Sequence, residues 1–554
     1  MLEGLVQHDF QMTLQHVLDR MRGMHGRSEV VTLTADGKTR ATYAEVGARV
    51  DRLAHALKGL GIGDSDRVAT LAWNSQQHLE AYLAIPCMGA VLHTLNLRLF
   101  EEQLEYIVNH AADRIVILDQ SLVGIIEPLV SKLPTVEHYI VIGDGDTGEL
   151  PNVLRYEELL AEQTDAPFDW PQIEDRAAAA LCYTSGTTGN PKGVLYSHRS
   201  ATLHSVGACM ADSLSVCNTD RILPVVPMFH ANAWGLPYAA GLTGASLIMP
   251  GQFLQAEPLA KLLVDERVTL AGAVPTIWMD LLRYVDANET DLSALRLVIC
   301  GGSAVPRALQ EAFQERHNVY VCQAWGMTET SPLGSVARIP DGVEGEDVWH
   351  YRTSAGRFSA LVEARIIGDD GNPQPWDGET TGEVEVRGPW IASGYYEDPD
   401  GSSSKFHDGW LKTGDIGAID QGGYLFITDR AKDVIKSGGE WISSVELENE
   451  LMAHPDVMEA AVIAKPDDRW SERPLACVVI ADGASVSAED LVAHLEPRVA
   501  RWWLPDEFAF IDAVPKTSVG KFDKKVLRAQ LEADELPDRH MVERPVAEPA
   551  ASDS

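Results

Sequence analysis

Ala177-Ala-Ala-Ala-Leu-Cys182 runs directly into Tyr183-Thr-Ser-Gly-Thr-Thr-Gly-Asn-Pro-Lys-Gly193. The apolar run reads as a buried strand. The loop after it carries three glycines, five hydroxyl residues (Tyr183, Thr184, Ser185, Thr187, Thr188) and one lysine, Lys192. Glycine lets backbone N–H groups approach an anion, hydroxyls add donors, and the lysine adds charge. A strand feeding such a loop is how α/β proteins build phosphate sites. It is not a Walker A loop: counted from Gly186, G-x-x-x-x-G-K-[ST] needs glycine at 191, where Pro191 stands.

Upstream, helical and strand patterns alternate. Thr42-x-x-Glu45 is a capping-box signature. Val46, Val50, Leu53, Ala54 and Leu57 then fall on one helical face, and the helix stops at Gly59. Arg67–Trp73 and Arg114–Asp119 read as strands around helical patterns at His78–Gly89 and Glu101–His110. The α/β alternation continues to about residue 340. Downstream, Leu361–Ile367, Gly382–Gly388 and Gly422–Thr428 are short strands separated by Asp-Gly and Gly-Gly turns, which predicts an antiparallel β unit. The run DRAKDVIKSGG at Asp429–Gly439 is the expected hinge, with 431–437 at its centre. A small α+β module follows over 438–530, and 531–554, rich in Asp, Glu, Pro and Ala, reads as a disordered acidic tail.

The chain has 554 residues, 45% apolar and 23% charged, the balance of a globular protein of at least two domains. With 45 Lys and Arg against 82 Asp and Glu, its formal charge is −37. That field disfavours nucleic acid and anionic membranes, so an anion site needs backbone donors and a few placed cations. The seven scattered cysteines form no C-x-x-C pair and read as reduced, mostly buried thiols. No stretch approaches a membrane span, and Met1–Arg20 lacks a secretory pattern; the expected location is cytoplasmic.

Two decoys are set aside. Gly143-Asp-Gly-Asp-Thr-Gly148 matches G-x-G-x-x-G, but its aspartates would repel a pyrophosphate and Pro151 precedes the next helix. Gly301-Gly-Ser-Ala-Val305 fails the G-x-S-x-G elbow at Val305. Trp325-Gly-Met-Thr-Glu-Thr330 is a second candidate site: an aromatic for a base, Thr328 for a phosphate, and Glu329 for Mg²⁺, a hard cation that prefers oxygen. A loop with a capped helix start reads equally well there.

Tyr183–Gly193, Trp325–Thr330, Gly382–Tyr396 (GEVEVRGPWIASGYY), Thr413-Gly-Asp415, Asp429-Arg430 and Pro515-Lys-Thr-Ser-Val-Gly-Lys521 occur in this order. Together they resemble the acyl-adenylate-forming superfamily of acyl-CoA synthetases, nonribosomal adenylation domains and luciferases. Val225-Val-Pro-Met-Phe-His230, Ile435-Lys-Ser-Gly-Gly-Glu-Trp-Ile-Ser-Ser444 and Trp502-Trp-Leu-Pro505 are most similar to medium- and long-chain fatty acyl-CoA synthetases, and almost as similar to methylmercaptopropionate-CoA ligases. The resemblance implies a large N-terminal α/β domain with a β-subdomain (1–430) and a small mobile C-terminal α+β lid. It also implies a ligase of fatty acid metabolism using ATP, Mg²⁺ and coenzyme A, and a homodimer. The alternatives are a short-acid CoA ligase or an adenylating enzyme that passes its acyl group to a carrier protein.

By motif position, the resemblance implies that Lys521, Glu329 and Thr328 are catalytic. Thr184, Ser185, Gly186, Thr187, Thr188, Gly189 and Lys192 would hold phosphates. Gly302, Ser303 and Ala304 would border the adenine, with Trp325, Gly326 and Met327 beside it. Asp415 would accept the ribose hydroxyls next to Arg430, although the two also read as a surface ion pair. Glu329 and Thr184 would hold Mg²⁺, and Lys521 would bridge the acyl carboxylate and the α-phosphate. Lys432 would be the pivot between two poses of the small domain, and Gly438 and Gly439 would line a pantetheine tunnel. His230 and Trp234 would line the acyl pocket, with Trp234 as gate or as plain core. After Arg352–Phe358 the Gly-x-Pro common in relatives is absent, and Ala337–Tyr351 is short and acidic; both lie near the family's acyl mouth.

Overall fold

The computed structural model describes residues 2, 4–184, 190–430, 432–437, 440–467, 469–481, 483–517 and 522–542. Three sheets organise them. The first, of seven strands, runs Val153–Arg155, His138–Ile142, Ile115–Asp119, Arg67–Leu71, Val91–Thr94, Ala178–Tyr183, Gly193–Ser197. All neighbours are parallel except the last pair. Val91–Thr94 is buried at every position, as expected of a parallel strand covered on both faces.

The second sheet has a parallel half and an antiparallel half. Glu29–Thr34, Ser246–Met249, Arg221–Pro224, Leu270–Ala273, Leu297–Gly301 and Val321–Gly326 are parallel neighbours. From Leu333–Val336 the sheet continues antiparallel through Gly356–Phe358, Tyr424–Arg430, Trp410–Ile419, Gly382–Arg387 and Glu363–Ile367. The expected antiparallel unit is therefore hydrogen-bonded into the parallel sheet rather than set apart from it.

Helices fill the space between the two sheets. Tyr43–Gly59 starts on the expected capping box, in which Thr42 N–H donates to Glu45 Oε2 at 2.7 Å and Glu45 N–H to Thr42 Oγ1 at 3.3 Å. Gln76–Cys87 is capped by Ser75 and buried from His78 through Cys87. A helix without a polar face belongs in a core, and this one touches strands of both sheets. The main apolar cluster joins it to Leu14, Tyr43, Tyr238 and Leu247.

The small module pairs Ile435–Ser437 with Glu440–Ile442, and centres on Ser471–Ile480 between Val457–Asp467 and Glu507–Phe510. It extends further than the sequence predicts. The expected disordered tail began at Leu531, but Arg539–Met541 adds an antiparallel strand to Glu507–Phe510 and Leu536 is buried. Arg539 Nε donates to Glu507 at 2.5 Å. A strand of three residues is too short to show periodicity, and its pairing rests on this remote carboxylate. Residues 543–554 lie outside the described ones. Among the described residues no helix is long and apolar enough to cross a membrane.

Candidate active site

The site grows from the carboxyl ends of three strands, where open α/β sheets place ligands. Ala178–Tyr183 and Gly193–Ser197 form a neck with Tyr183 opposite Gly193. Thr184 closes it: its N–H donates to Lys192 O at 2.9 Å, and its Oγ1 accepts from Lys192 N–H at 3.1 Å. Ser185, Gly186, Thr187, Thr188 and Gly189 lie outside the described residues. The Lys192 ammonium stands 4.8 Å above the Tyr395 ring and 3.8 Å from Asp398. Its side chain is 34% exposed, so this cation is seated but not sealed in.

The strand leaving the neck gathers two distant segments. Tyr196 donates its phenol O–H to Thr328 O at 2.7 Å, and Tyr396 N–H donates to Gly193 O at 2.8 Å. Those segments also hold each other. Ala392 N–H donates to Glu329 O at 2.8 Å, and Tyr395 O–H donates to Glu329 Oε1 at 2.6 Å. Thr328 and Glu329 are both buried. Burial, and then the Glu329 carboxylate, push the Tyr395 phenol well above its usual pKa, so it stays a donor. Gly326 can only be glycine, because a Cβ there would sit 1.8 Å from Pro332 O. Met327 N–H donates to Thr330 Oγ1 at 2.9 Å and fixes the turn.

Trp325 ends a strand whose neighbour, Leu297–Gly301, leads into Gly302, Ser303 and Ala304. Gly302 has φ +94°, a left-handed conformation that glycine takes freely. Ser303 is exposed, and Gln323 Oε1 anchors the loop by accepting from Val305 N–H at 2.8 Å. Trp325, expected beside a base, has its ring buried against Gly334 and edge-on to Phe358. Its indole N–H donates to Asp415 Oδ2 at 2.8 Å. Asp415 Oδ1 pairs with Arg430 Nε at 2.6 Å. The ion pair is lopsided: Asp415 is 2% exposed and Arg430 40%, so the arginine covers the carboxylate. A carboxylate offers about four acceptor positions, which leaves room for further donors.

Trp234 sits in an unusual turn. Ala231, Asn232, Ala233 and Trp234 have φ of 38°, 49°, 51° and 57°, and Gly235 follows at 72°. The indole lies beside Gly272 and Gly301; a Cβ built on either would come within 3.6 Å of its ring. Trp234 is thus next to the strand that carries Gly302. His230 is half-buried at the start of this turn.

Where the hinge is expected, Asp433 and Val434 N–H groups donate to Arg430 O at 2.8 and 2.9 Å. Lys432 lies there, exposed. Asp429 Oδ2 reaches across, accepting from Ser444 N–H at 2.7 Å and Ser444 O–H at 2.6 Å. Lys524, half-buried, donates to Ser444 Oγ at 2.6 Å and pairs with Glu448 at 2.7 Å. Lys521, Gly438 and Gly439 lie outside the described residues.

The donor set fits Mg²⁺. Glu329, buried, has Oε1 bonded to Tyr395, and Oε2 accepts from none of the described residues. Magnesium is commonly held by one or two carboxylates plus substrate phosphates and water. Thr184 keeps its hydroxyl proton while its oxygen is engaged. Sequence reading missed Tyr395, Tyr196 and Gln323. Tyr395 lay inside a quoted block, but its bond to Glu329 spans 66 residues and has no local signature.

Residues 20–396 match the family model described as AMP-binding enzyme, and 446–521 match that of the AMP-binding enzyme C-terminal domain. The chain is 45% identical over 528 residues to a long-chain-fatty-acid–CoA ligase of Thermus thermophilus, covering 94% of this chain and 96% of that one. It is 42% identical to a 3-methylmercaptopropionyl-CoA ligase of Ruegeria lacuscaerulensis, covering 93% and 97%. Among solved structures, an anthranilate CoA ligase in complex with anthranoyl-AMP superposes with TM-score 0.86 at 27% identity, covering 96% and 98%. Strand-end loops gathered around Glu329 and Asp415, and family matches over both the large and the small domain, agree: the chain belongs to the AMP-binding enzyme family.

Proposed function

We propose that the chain is an AMP-forming acyl-CoA synthetase that activates a medium- or long-chain fatty acid with ATP and passes the acyl group to coenzyme A. The observation that carries this reading is the lacing of Glu329 and Thr328 between the phosphate-loop neck and the Trp325–Asp415–Arg430 group. It supports reading Thr184 and Lys192, Glu329 and the buried Asp415 as parts of one nucleotide site.

A carboxylate is a poor electrophile because its leaving group would be oxide. Attack of its oxygen on the α-phosphorus of ATP expels pyrophosphate and leaves an acyl-AMP. A thiolate then attacks the acyl carbon and expels AMP. The first step joins two anions inside a protein of charge −37, so positioned cations and donors must offset the repulsion. Lys192 turns from Tyr395 and Asp398 toward the β- and γ-phosphates. Thr328 bonds the α-phosphate and Asp415 accepts the ribose hydroxyls. Gly302–Ala304 border the adenine. Lys521 bridges the carboxylate and the α-phosphate. Glu329 and Thr184 hold Mg²⁺, which when bound neutralises phosphate charge. Trp234, beside Gly301, places the acyl chain next to the adenine loop. Rotation about Lys432 then exchanges Lys521 for Gly438 and Gly439 in the cleft.

The test is pyrophosphate release across short-, medium- and long-chain acids and thioether acids, with and without coenzyme A. Acid-dependent release that peaks at medium or long chains, with thioester formed only when coenzyme A is present, is expected. A peak at the thioether acids would move the substrate to the short-acid class. Release independent of acid, or no thioester with coenzyme A, would overturn the reading.

A further inference from the structure

Tyr395 joins two parts of the cleft with two different faces of one side chain. Its hydroxyl donates to Glu329 Oε1 at 2.6 Å, while its ring seats the Lys192 ammonium 4.8 Å from the centroid. The tyrosine is itself held. Its backbone N–H donates to Ser402 Oγ at 2.8 Å, Phe406 stacks edge-on at 5.2 Å, and 8% of it is exposed. Ala392, three residues before it, fixes the Glu329 backbone. The Lys192 side is confined as well, since a Cβ on Gly401 would lie 2.7 Å from Nζ.

We propose that Tyr395 is a positioning residue that aims Glu329 at the nucleotide-bound metal through its hydroxyl and holds Lys192 over its ring until phosphates arrive. The proposal rests on the reading of Glu329 as a metal ligand. With Oε1 tied to Tyr395, the carboxylate cannot rotate freely, and Oε2 is the oxygen left for the metal. Without the hydroxyl, Glu329 must be ordered at the moment of metal binding. Partners in this position commonly change metal affinity or activity by 10–100-fold. The ring acts separately: a cation over an aromatic face is held by the ring quadrupole whether or not the hydroxyl is present.

Titration calorimetry on the full chain separates these roles without turnover. The probe is α,β-methylene-ATP, which cannot release pyrophosphate, with Mg²⁺ or with EDTA. Tyr395→Phe is expected to weaken binding of the Mg²⁺ complex by about tenfold and to leave the metal-free nucleotide within about twofold. Tyr395→Leu, which also removes the ring, is expected to weaken the metal-free arm too. Glu329→Gln is the control for the reading beneath. If Glu329→Gln costs the Mg²⁺ arm its affinity and Tyr395→Phe does not, the role of Tyr395 is refuted and Glu329 stands. If Glu329→Gln changes nothing, Glu329 is not the ligand and both ideas fall. Equal weakening of both arms by Tyr395→Phe marks a loss of structure and overturns the positioning role.

Discussion

Trp325 and Asp415, ninety residues apart, meet at 2.8 Å through the indole N–H and Oδ2, and Arg430 closes over the other oxygen at 2.6 Å. The strands Val321–Gly326 and Trp410–Ile419 belong to one sheet, so this bond ties the parallel half to the antiparallel half. A buried carboxylate with two fixed donors is preorganised to accept a third and fourth.

If Asp415 receives the ribose, Asp415→Asn should raise the KM for ATP by about tenfold or more, since hydrogen bonds to a charged group are worth ~1.5–3 kcal/mol. Trp325→Phe keeps the ring and removes one donor. It should raise the KM for ATP by a smaller factor and leave kcat with saturating ATP nearly unchanged. If Trp325→Phe instead lowers kcat without touching KM, the tryptophan serves the chemistry and not the ribose acceptor.

The two half-reactions should separate by residue. If Lys521 bridges the carboxylate and the α-phosphate in the adenylation pose alone, Lys521→Ala should lower acid-dependent pyrophosphate release by at least ~10²-fold, the scale of one lost electrostatic stabiliser. Conversion of preformed acyl-AMP to thioester should fall much less. If Lys432 is the pivot, Lys432→Pro should do the reverse by fixing φ there near about −65°. Among the described residues no hydrogen bond uses the Lys432 N–H, so the substitution removes no donor among them. If Gly439 lines a pantetheine tunnel, Gly439→Leu should stall the thioester step by filling it. Equal loss of both half-reactions in Lys521→Ala, or lost adenylation with thioester formation kept in Lys432→Pro, would contradict the two-pose scheme.

Local signals carried most of the fold. The Thr42–Glu45 box, the strand read at Ala177–Cys182 and the exposed turn at Gly143–Gly148 each depend on neighbours a few residues away, and each forms, the strand shifted by one residue to Ala178–Tyr183. The site was legible as a set of motifs but not as a geometry. That Trp325 spends its N–H on Asp415, or that Tyr395 grips Glu329, follows from strand order and loop packing, which composition does not encode. The misread tail shows the same boundary: Arg539–Met541 is a strand because Glu507–Phe510 offers it an edge and a carboxylate.

Acid should destabilise the protein through buried histidines. Burial pushes His78, His198 and His204 down to about 4. Two of them accept backbone N–H groups: His198 Nδ1 from Leu14 and His204 Nε2 from Leu333, both at 3.2 Å. Protonation would destroy those bonds. A folded pKa below the unfolded value near 6.5 means the unfolded chain takes the proton first. The stability is therefore whole above about pH 6.5 and is lost as pH falls toward 4, by about 2–4 kcal/mol per histidine. Melting temperature should drop steeply from pH 7 to 5, with close to three protons taken up on unfolding at pH 5. His204→Gln, which keeps an acceptor, should remove one of them. A flat melting temperature over that range would refute this assignment.

The turn at Ala231–Gly235 gives the sharpest test of the acyl pocket. Four consecutive non-glycine residues there are left-handed, at roughly 1–2 kcal/mol each. Such strain persists only where the surroundings impose it, and it concentrates at sites that bind or move. Here the surroundings are His204, whose Nδ1 would lie 2.5 Å from a Cβ on Gly235, and the indole of Trp234 against Gly272 and Gly301. Ala233→Gly relieves the strain at φ 51°, but the added unfolded-state entropy, about 0.5–1 kcal/mol, and the loss of a fully buried methyl, about 0.8 kcal/mol, offset it, so the melting temperature should change little. Trp234→Ala then decides what the turn holds. As a gate, the indole covers an apolar tunnel, so its removal should flatten the preference between medium and long acids and leave the KM for ATP unchanged. As core, the same change should cost about 3–5 kcal/mol of stability with no effect on chain length. A large melting drop in Trp234→Ala with an unchanged chain-length profile would make the tryptophan structural, and the strain of Ala231–Trp234 would then serve packing alone.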